Sequence, residues 1–366
     1  MITITQVCKA LEAWAPLPYQ ESYDNCGLLL GSGSTVVTGI LCTLDCTEAV
    51  VEEAIAKQCN LIVAHHPIIF SGLKRLNGSN YVERTVMLAL QNNIAIYAIH
   101  TNADNVITGV NARLAFKLGL ENISVLAPKA GMLAKFITYV PDSHAEQVKT
   151  AIWQAGGGNI GNYSECSFSF AGSGTFKGNE HSNPQLGYKG ERTIAAEQRI
   201  EVIIPIHLQN KVLAAVRAAH LYEEVAYEVI PLANEHQAVG SGMVGSWPKP
   251  KTAIEALAWI KDVLQVPVVR HTKIVREYIQ KVAICGGAGS FLTKRAISAG
   301  ADIYVTADVK YHEFFDADDR IIIADVGHFE SEQFTSELLF EVLRANFPTF
   351  AAIFSSATGT NPVHYF

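Results

Sequence analysis

Short, continuous apolar runs alternate with amphipathic stretches over much of the chain. TGILCTLDC, LIVAHH, IAIYAIH, KVAICGG, ADIYVTADV and IIIADVG are nearly solid blocks of aliphatic residues, the pattern of short strands buried on both faces. Between them, EAVVEEAIAKQ, YVERTVMLALQNN, NARLAFKLG, TAIEALAWIKDVL, FLTKRAISAG and SEQFTSELLFEVLRA space their apolar residues as helices do. Thr47 is placed to cap one helix start and Gly119 to close a helix end, while Pro16 stops a first helix over residues 3–15 and Pro348 stops the last. VPVVRHT and TFAAIFSS read as further strands and YHEFFDA as a helix. Strands alternating with helices predict an α/β fold built on mainly parallel sheet covered on both faces.

The rhythm breaks from about residue 131. KFITYVP, the helix HAEQVKTAIWQAG, a passage rich in Gly, Ser and Asn, RIEVIIPIHL, the helix KVLAAVRAAHL and YEEVAYEVIPL follow in turn. The order β-α-β, β-α-β predicts a ferredoxin-like α+β insert. Beyond Gly240 the first rhythm returns, and the two outer parts echo one another: AVVEEAIAKQCNLIVAHH aligns with FLTKRAISAGADIYVTAD, setting His65 against Ala307 and His66 against Asp308. The expected organisation is two related α/β layers in one domain, formed by residues 1–130 and 239–366, interrupted by an insert over 131–238. A chain of 366 residues is longer than one hydrophobic core usually supports.

Composition narrows the class. With 49% hydrophobic and 17% charged residues the chain is globular in character, and its net charge of −7 with no basic block argues against nonspecific nucleic-acid binding. No apolar run approaches the ~18 to 20 residues of a membrane span, and MITITQVCKALEAW lacks the form of a signal peptide, so a cytoplasmic protein is expected. Seven scattered cysteines give no disulfide framework; Cys42 and Cys46 fit buried reduced thiols better than metal ligands.

The chemistry collects at strand ends. LIVA runs into His65, His66 and Pro67; IAIYA into His100 and Asp104; IIIAD into His328 and Glu332. Ligands gather beyond the carboxyl ends of strands in open α/β sheets, so these residues can pool around a metal. Adjacent His65 and His66 would flank two ions, His328 and Glu332 share one helix face at a four-residue spacing, and Glu332 is the expected bridge between ions ~3.5 to 4 Å apart. Each residue taken singly has a plainer reading: a hydrogen-bonded loop histidine, an Asp104 that caps the next helix, a capped helix start at His328. His100 can bind metal, orient Asp104 or carry a proton. His312 with Glu313 has the same status, and Asp308 and Lys310 are candidates for substrate contact. CGGAGS (285–290) is either a phosphate-holding turn or a tight turn alone.

YDNCGLLLG, TEAVVEEAI, AHHPIIF, HTNAD, CGGAGS, TADVKYHE and GHFESE occur in the order found in the Nif-three-like proteins (NGG-interacting factor three), also labelled GTP cyclohydrolase I type 2 homologues or dinuclear metal centre hexameric proteins, which this chain resembles over its first 130 and last 125 or so residues. The long form of that family carries an insert resembling PII and CutA folds. The resemblance implies a toroidal homohexamer with two divalent ions per subunit (zinc, iron or manganese) on His65, His66, Asp104, His328 and Glu332. The expected function is a metal-dependent hydrolase, cyclohydrolase-like, acting on a nucleotide-like or phosphorylated small molecule, with His100 or His312 shuttling protons. The alternative is a non-catalytic hexameric metal-binding, sensing or regulatory scaffold.

Overall fold

The computed structural model describes residues 1–350, the backbone of 352–354, and residues 360–366. Two compact units emerge, one made of Met1–Ala127 with Ala238–Phe366 and the other of Pro128–Gln237.

The first unit contains two sheets. In one, the strands lie in the order Gly27–Leu30, Ala95–Ala98, Leu61–Ala64, Ile40–Thr43, Ala352–Phe354, all parallel to their neighbours except the antiparallel edge strand Gly27–Leu30. In the other the order is Arg270–His271, Ile322–Asp325, Ile303–Ala307, Tyr278–Ala288, Glu235–Thr252, Glu121–Ala130, with the three apolar strands Tyr278–Ala288, Ile303–Ala307 and Ile322–Asp325 parallel. Every residue of Leu61–Ala64, Ala95–Ala98, Ile303–Ala307 and Ile322–Asp325 is buried, as continuous apolar runs require of strands covered on both faces. Ile62 and Ile96 pack with Val50 and Val86 from two covering helices, and Val305 and Ile322 pack with Ile260 from a third. Thr47 caps the helix Glu48–Ala56 by accepting from the Val50 amide.

The second unit is one four-stranded antiparallel sheet, ordered Phe168–Lys177, Arg192–Pro205, Leu133–Pro141, Tyr227–Leu232, under the helices Ala145–Gln154 and Gln209–Ala219. Phe136, Ile200 and Val202 from the sheet pack against Ile152 and Val216 from the helices.

Several elements differ from the sequence expectation. VPVVRHT contributes only the two-residue strand Arg270–His271, because Pro267 removes a ladder donor. YHEFFDA is a 3₁₀ turn, Tyr311–Ala317, closed by left-handed Asp318. The strand expected at TFAAIFSS is seen as Ala352–Phe354; Thr349 and Phe350 precede it in a turn, and positions 351, 355 and 356 lie outside the described residues. Glu121–Ala130 and the 18-residue Glu235–Thr252 are strands without an alternating signal, and the glycine-rich passage supplies Phe168–Lys177. Among the described residues no helix is long and apolar enough to cross a membrane.

Candidate metal centre

The carboxyl ends of buried parallel strands build the site. Leu61–Ala64 runs directly into His65 and His66; Ala95–Ala98 leads to His100 and the short helix Thr101–Asp104; Ile322–Asp325 leads through Gly327 to the helix His328–Glu332. Gly327 turns at φ +89°, and a Cβ there would collide with the Glu330 carboxylate, so the approach to His328 requires glycine.

Glu332 is the hub. Its Oε2 lies 3.0 Å from Nε2 of His66, 3.2 Å from Nε2 of His328 and 3.9 Å from Nε2 of His65, and Asp104 Oδ1 lies 3.7 Å from the same His65 nitrogen. Ligand atoms of His65, Asp104 and Glu332 fall within 4.8 Å of one another; so do those of His66, His328 and Glu332, and of His65, His66 and His100. Two of these three groups share Glu332. The five ligands expected from the sequence are therefore brought together, with His100 against them. His312 is not: it is exposed on its 3₁₀ turn beside the rings of Tyr311 and Phe315. Cys42 and Cys46 are buried outside these groups, and burial pushes both thiols up to about 12.

Every imidazole is anchored by its other nitrogen. Nδ1 of His65 donates to the Ile99 carbonyl (2.9 Å), that of His66 to Asp45 Oδ1 (2.7 Å), that of His100 to Asp24 Oδ1 (2.8 Å) and that of His328 to Asp308 Oδ2 (2.7 Å). Carbonyl and carboxylate acceptors bring no proton of their own, so Nδ1 is the donating nitrogen and Nε2 is the one turned to the centre. Asp24 is held in turn by the backbone amide and hydroxyl of Thr101 and by the Cys26 thiol. Asp308 takes the left-handed φ of +53°, a conformation aspartate tolerates at a small cost. The sequence reading placed Asp308 as a substrate contact; the structure engages its carboxylate with His328. The sequence places Asp24 only as a turn residue with Asn25 and Gly27 and does not mark Asp45, although Asp45 ends the apolar run TGILCTLDC just as His65 ends LIVAH.

Two amides of CGGAGS are occupied. The Gly286 amide donates to Asn111 Oδ1 (2.9 Å) and the Gly287 amide to Ser331 Oγ (2.9 Å). Gly287 turns at φ +62°, and a Cβ there would lie 2.5 Å from Glu332 Oε1. The glycines let the backbone pass close to Glu332, as the tight-turn reading of the motif expects.

The electrostatics call for added positive charge. Burial works against a charged His66, yet hydrogen bonds to Asp45 and Glu332 hold it up at about 9; His328 is likewise opposed by burial but raised by Asp308 and Glu332 to about 11. His65 is pushed down to about 3 by burial. For Glu332, burial is outweighed by the hydrogen bonds from His328 and His66, which hold its carboxyl well below the usual range, whereas burial and the charge of Glu332 drive Asp104 well above it. Asp24, opposed by burial, is held low by its bonds to His100 and Thr101. Perturbations of this size in one cluster mark functional sites. The residues also fit a metal by a separate test: His65 Nε2 and Asp104 Oδ1 are buried and make no hydrogen bond among the described residues. Buried unpaired atoms cost about 1–3 kcal/mol each, and one cation between them would satisfy both.

The family model described as Duf34/NIF3 (NGG1p interacting factor 3) matches residues 2–362. A protein of Halalkalibacterium halodurans named GTP cyclohydrolase 1 type 2 homolog is 40% identical over 88% of this chain and 87% of its own length, and one of the same name from Bacillus subtilis is 37% identical over 98% and 97%. Among solved structures, a Bacillus cereus protein described as related to NIF3 superposes with a TM-score of 0.86 at 38% identity, covering 100% of this chain and 99% of the other.

Proposed function

The chain belongs to the DUF34/NIF3 (NGG1p interacting factor 3) family, and from that premise we propose that it is a dinuclear metal-binding protein acting as a metal-dependent hydrolase on a nucleotide-like or phosphorylated small molecule. The observation that carries this reading is Glu332, whose carboxylate belongs both to the group with His65 and Asp104 and to the group with His66 and His328. One carboxylate shared by two ligand groups is what a bridging residue between two ions requires. The nitrogen and oxygen donors suit zinc, iron or manganese, and the names of the relatives favour cyclohydrolase-like chemistry.

Bound there, two cations would polarise the substrate's reacting centre and lower the pKa of a water. The chain's own residues supply the rest. Asp45 and Asp308 fix the rings of His66 and His328. His100, braced by Asp24 and directed at His65 and His66, is placed to carry a proton; His312 would serve only a substrate that reaches its exposed turn.

We read the second unit as a ferredoxin-like, PII/CutA-like insert on its strand order, and the whole as a cytoplasmic homohexamer. A second reading is a hexameric sensor or scaffold, in which the same ligand groups would hold metal without turnover. The test is to measure metal per chain and to assay nucleotides and phosphoesters with wild type and Glu332→Ala. Turnover lost with the metal supports the hydrolase, and full metal occupancy with no turnover favours the scaffold. Light scattering on the same sample checks the hexamer, which a monodisperse monomer would contradict.

A further inference from the structure

A cavity of about 420 Å³ in the first unit is lined by His66 and His328 on one side and by Arg270 on another. That volume lies at the small end of ligand sites, suited to a small molecule rather than a polymer. Arg270 is the only lysine or arginine among its described lining residues, and its guanidinium is fixed in place. Nη2 donates to the Val309 carbonyl (2.8 Å) and to the Asp325 carboxylate, and the fork lies 5.3 Å from the Phe314 ring centre. Nε and Nη1 make no hydrogen bond or ion pair among the described residues, which leaves three N–H donors of the fork for a ligand, two of them on Nη1.

Four carboxylates also line the cavity, and each is engaged elsewhere. Asp45 accepts from His66, Asp308 from His328, and Glu330 from Asn361 (3.1 Å). Asp325, almost fully buried, accepts from the Val309 amide (3.0 Å) and the Gly327 amide (3.1 Å) as well as from Arg270. Much of the remaining wall is carbon from Val268, Phe329, Pro362, Val363 and the ring of Tyr365.

We propose that this cavity is the substrate pocket and that Arg270 holds, through the N–H groups of Nη1, the carboxylate or phosphate group of a small anionic substrate whose reacting centre lies at His66 and His328. The inference rests on the hydrolase reading and adds to it where the substrate's charge is held. The remainder of the substrate, meeting an apolar wall, is uncharged.

The test is calorimetric titration of the metal-loaded full chain with inorganic phosphate and, separately, with acetate, comparing wild type, Arg270→Gln and Arg270→Lys. Metal per chain is measured for each. The expected result is binding of phosphate, acetate or both to wild type, weakened at least tenfold in Arg270→Gln and partly restored in Arg270→Lys, with metal content unchanged; the preferred probe identifies the anion class. Equal affinity in wild type and Arg270→Gln would place the anion on the metal alone and overturn the assignment, as would a wild type that binds neither probe. Because Arg270→Gln leaves Asp325 without its guanidinium, the double variant Arg270→Gln/Asp325→Asn is scored by the same criterion if the single variant misfolds. A wild type that takes up no metal refutes the metal reading by itself, and the same titrations on that chain still decide the role of Arg270.

Discussion

Replacing Asp45 by asparagine exchanges a charged acceptor for a neutral one of nearly the same shape. Asp45 Oδ1 accepts from His66 Nδ1 at 2.7 Å, with the two side chains 29% and 21% exposed. A hydrogen bond to a charged group contributes about 1.5–3 kcal/mol against about 0.5–1.5 for a neutral one, so the substitution should cost roughly 1–1.5 kcal/mol of hold on the ring. Expressed as metal affinity that is about tenfold, within the range of about 10- to 100-fold known for partners of ligating histidines. Asp308→Asn removes the equivalent charge from His328, but there the carboxylate is 52% and the imidazole 38% exposed. Solvent screens that pair, and about threefold is expected. The assay is competition for zinc against a chromophoric chelator at neutral pH, with a circular-dichroism melt to show that both variants fold. Affinities within twofold of wild type in both variants, or a larger loss in Asp308→Asn than in Asp45→Asn, would refute the reasoning.

Gly287→Ala puts a methyl 2.5 Å from Glu332 Oε1 at a φ of +62°; strain of about 1–3 kcal/mol together with a displaced Glu332 should lower both the melting point and the metal bound per chain, and unchanged values of the two would contradict the close-approach account of this glycine. In the second unit, burial holds His207, His220 and His236 below the ordinary histidine value of 6.5. The unfolded chain therefore binds more protons than the folded one once the pH falls below about 6.5, and the stability of this unit declines from there downward. Hydrogen exchange over the helices Ala145–Gln154 and Gln209–Ala219, corrected for intrinsic rates, should be faster at pH 5.5 than at pH 7.5, and equal protection would count against these shifts.

The strands that carry the site are readable from sequence because burial on both faces leaves few polar positions to interrupt them: LIVA and AIYA are unbroken apolar blocks, IIAD is apolar up to Asp325, and His65, His100 and His328 follow within three residues of the strand ends. The anchoring carboxylates are less readable. Asp45 stands 21 residues before His66, and Asp24 stands 76 residues before His100, in a turn that no apolar run announces. The strand Glu235–Thr252 is hidden for a different reason. Gly240, Gly242, Gly245, Pro248 and Pro250 give it the composition of a loop, and its pairing with Tyr278–Ala288 slips between Ser246 and Lys251. Phe168–Lys177 is mostly exposed and rich in glycine and serine, so its place is set by ten cross-strand pairs with Arg192–Pro205 rather than by an apolar face of its own.

Glu121–Ala130 and Glu235–Thr252 are neighbours in one sheet, although more than a hundred positions of chain run between them. The polypeptide thus departs from the metal-bearing unit and rejoins it at adjoining rungs of a single ladder. A brief hairpin across that gap would preserve the order of every other strand in the sheet, which makes the intervening module one that a lineage can gain, exchange or discard without redrawing the unit that holds His65, Asp104 and Glu332.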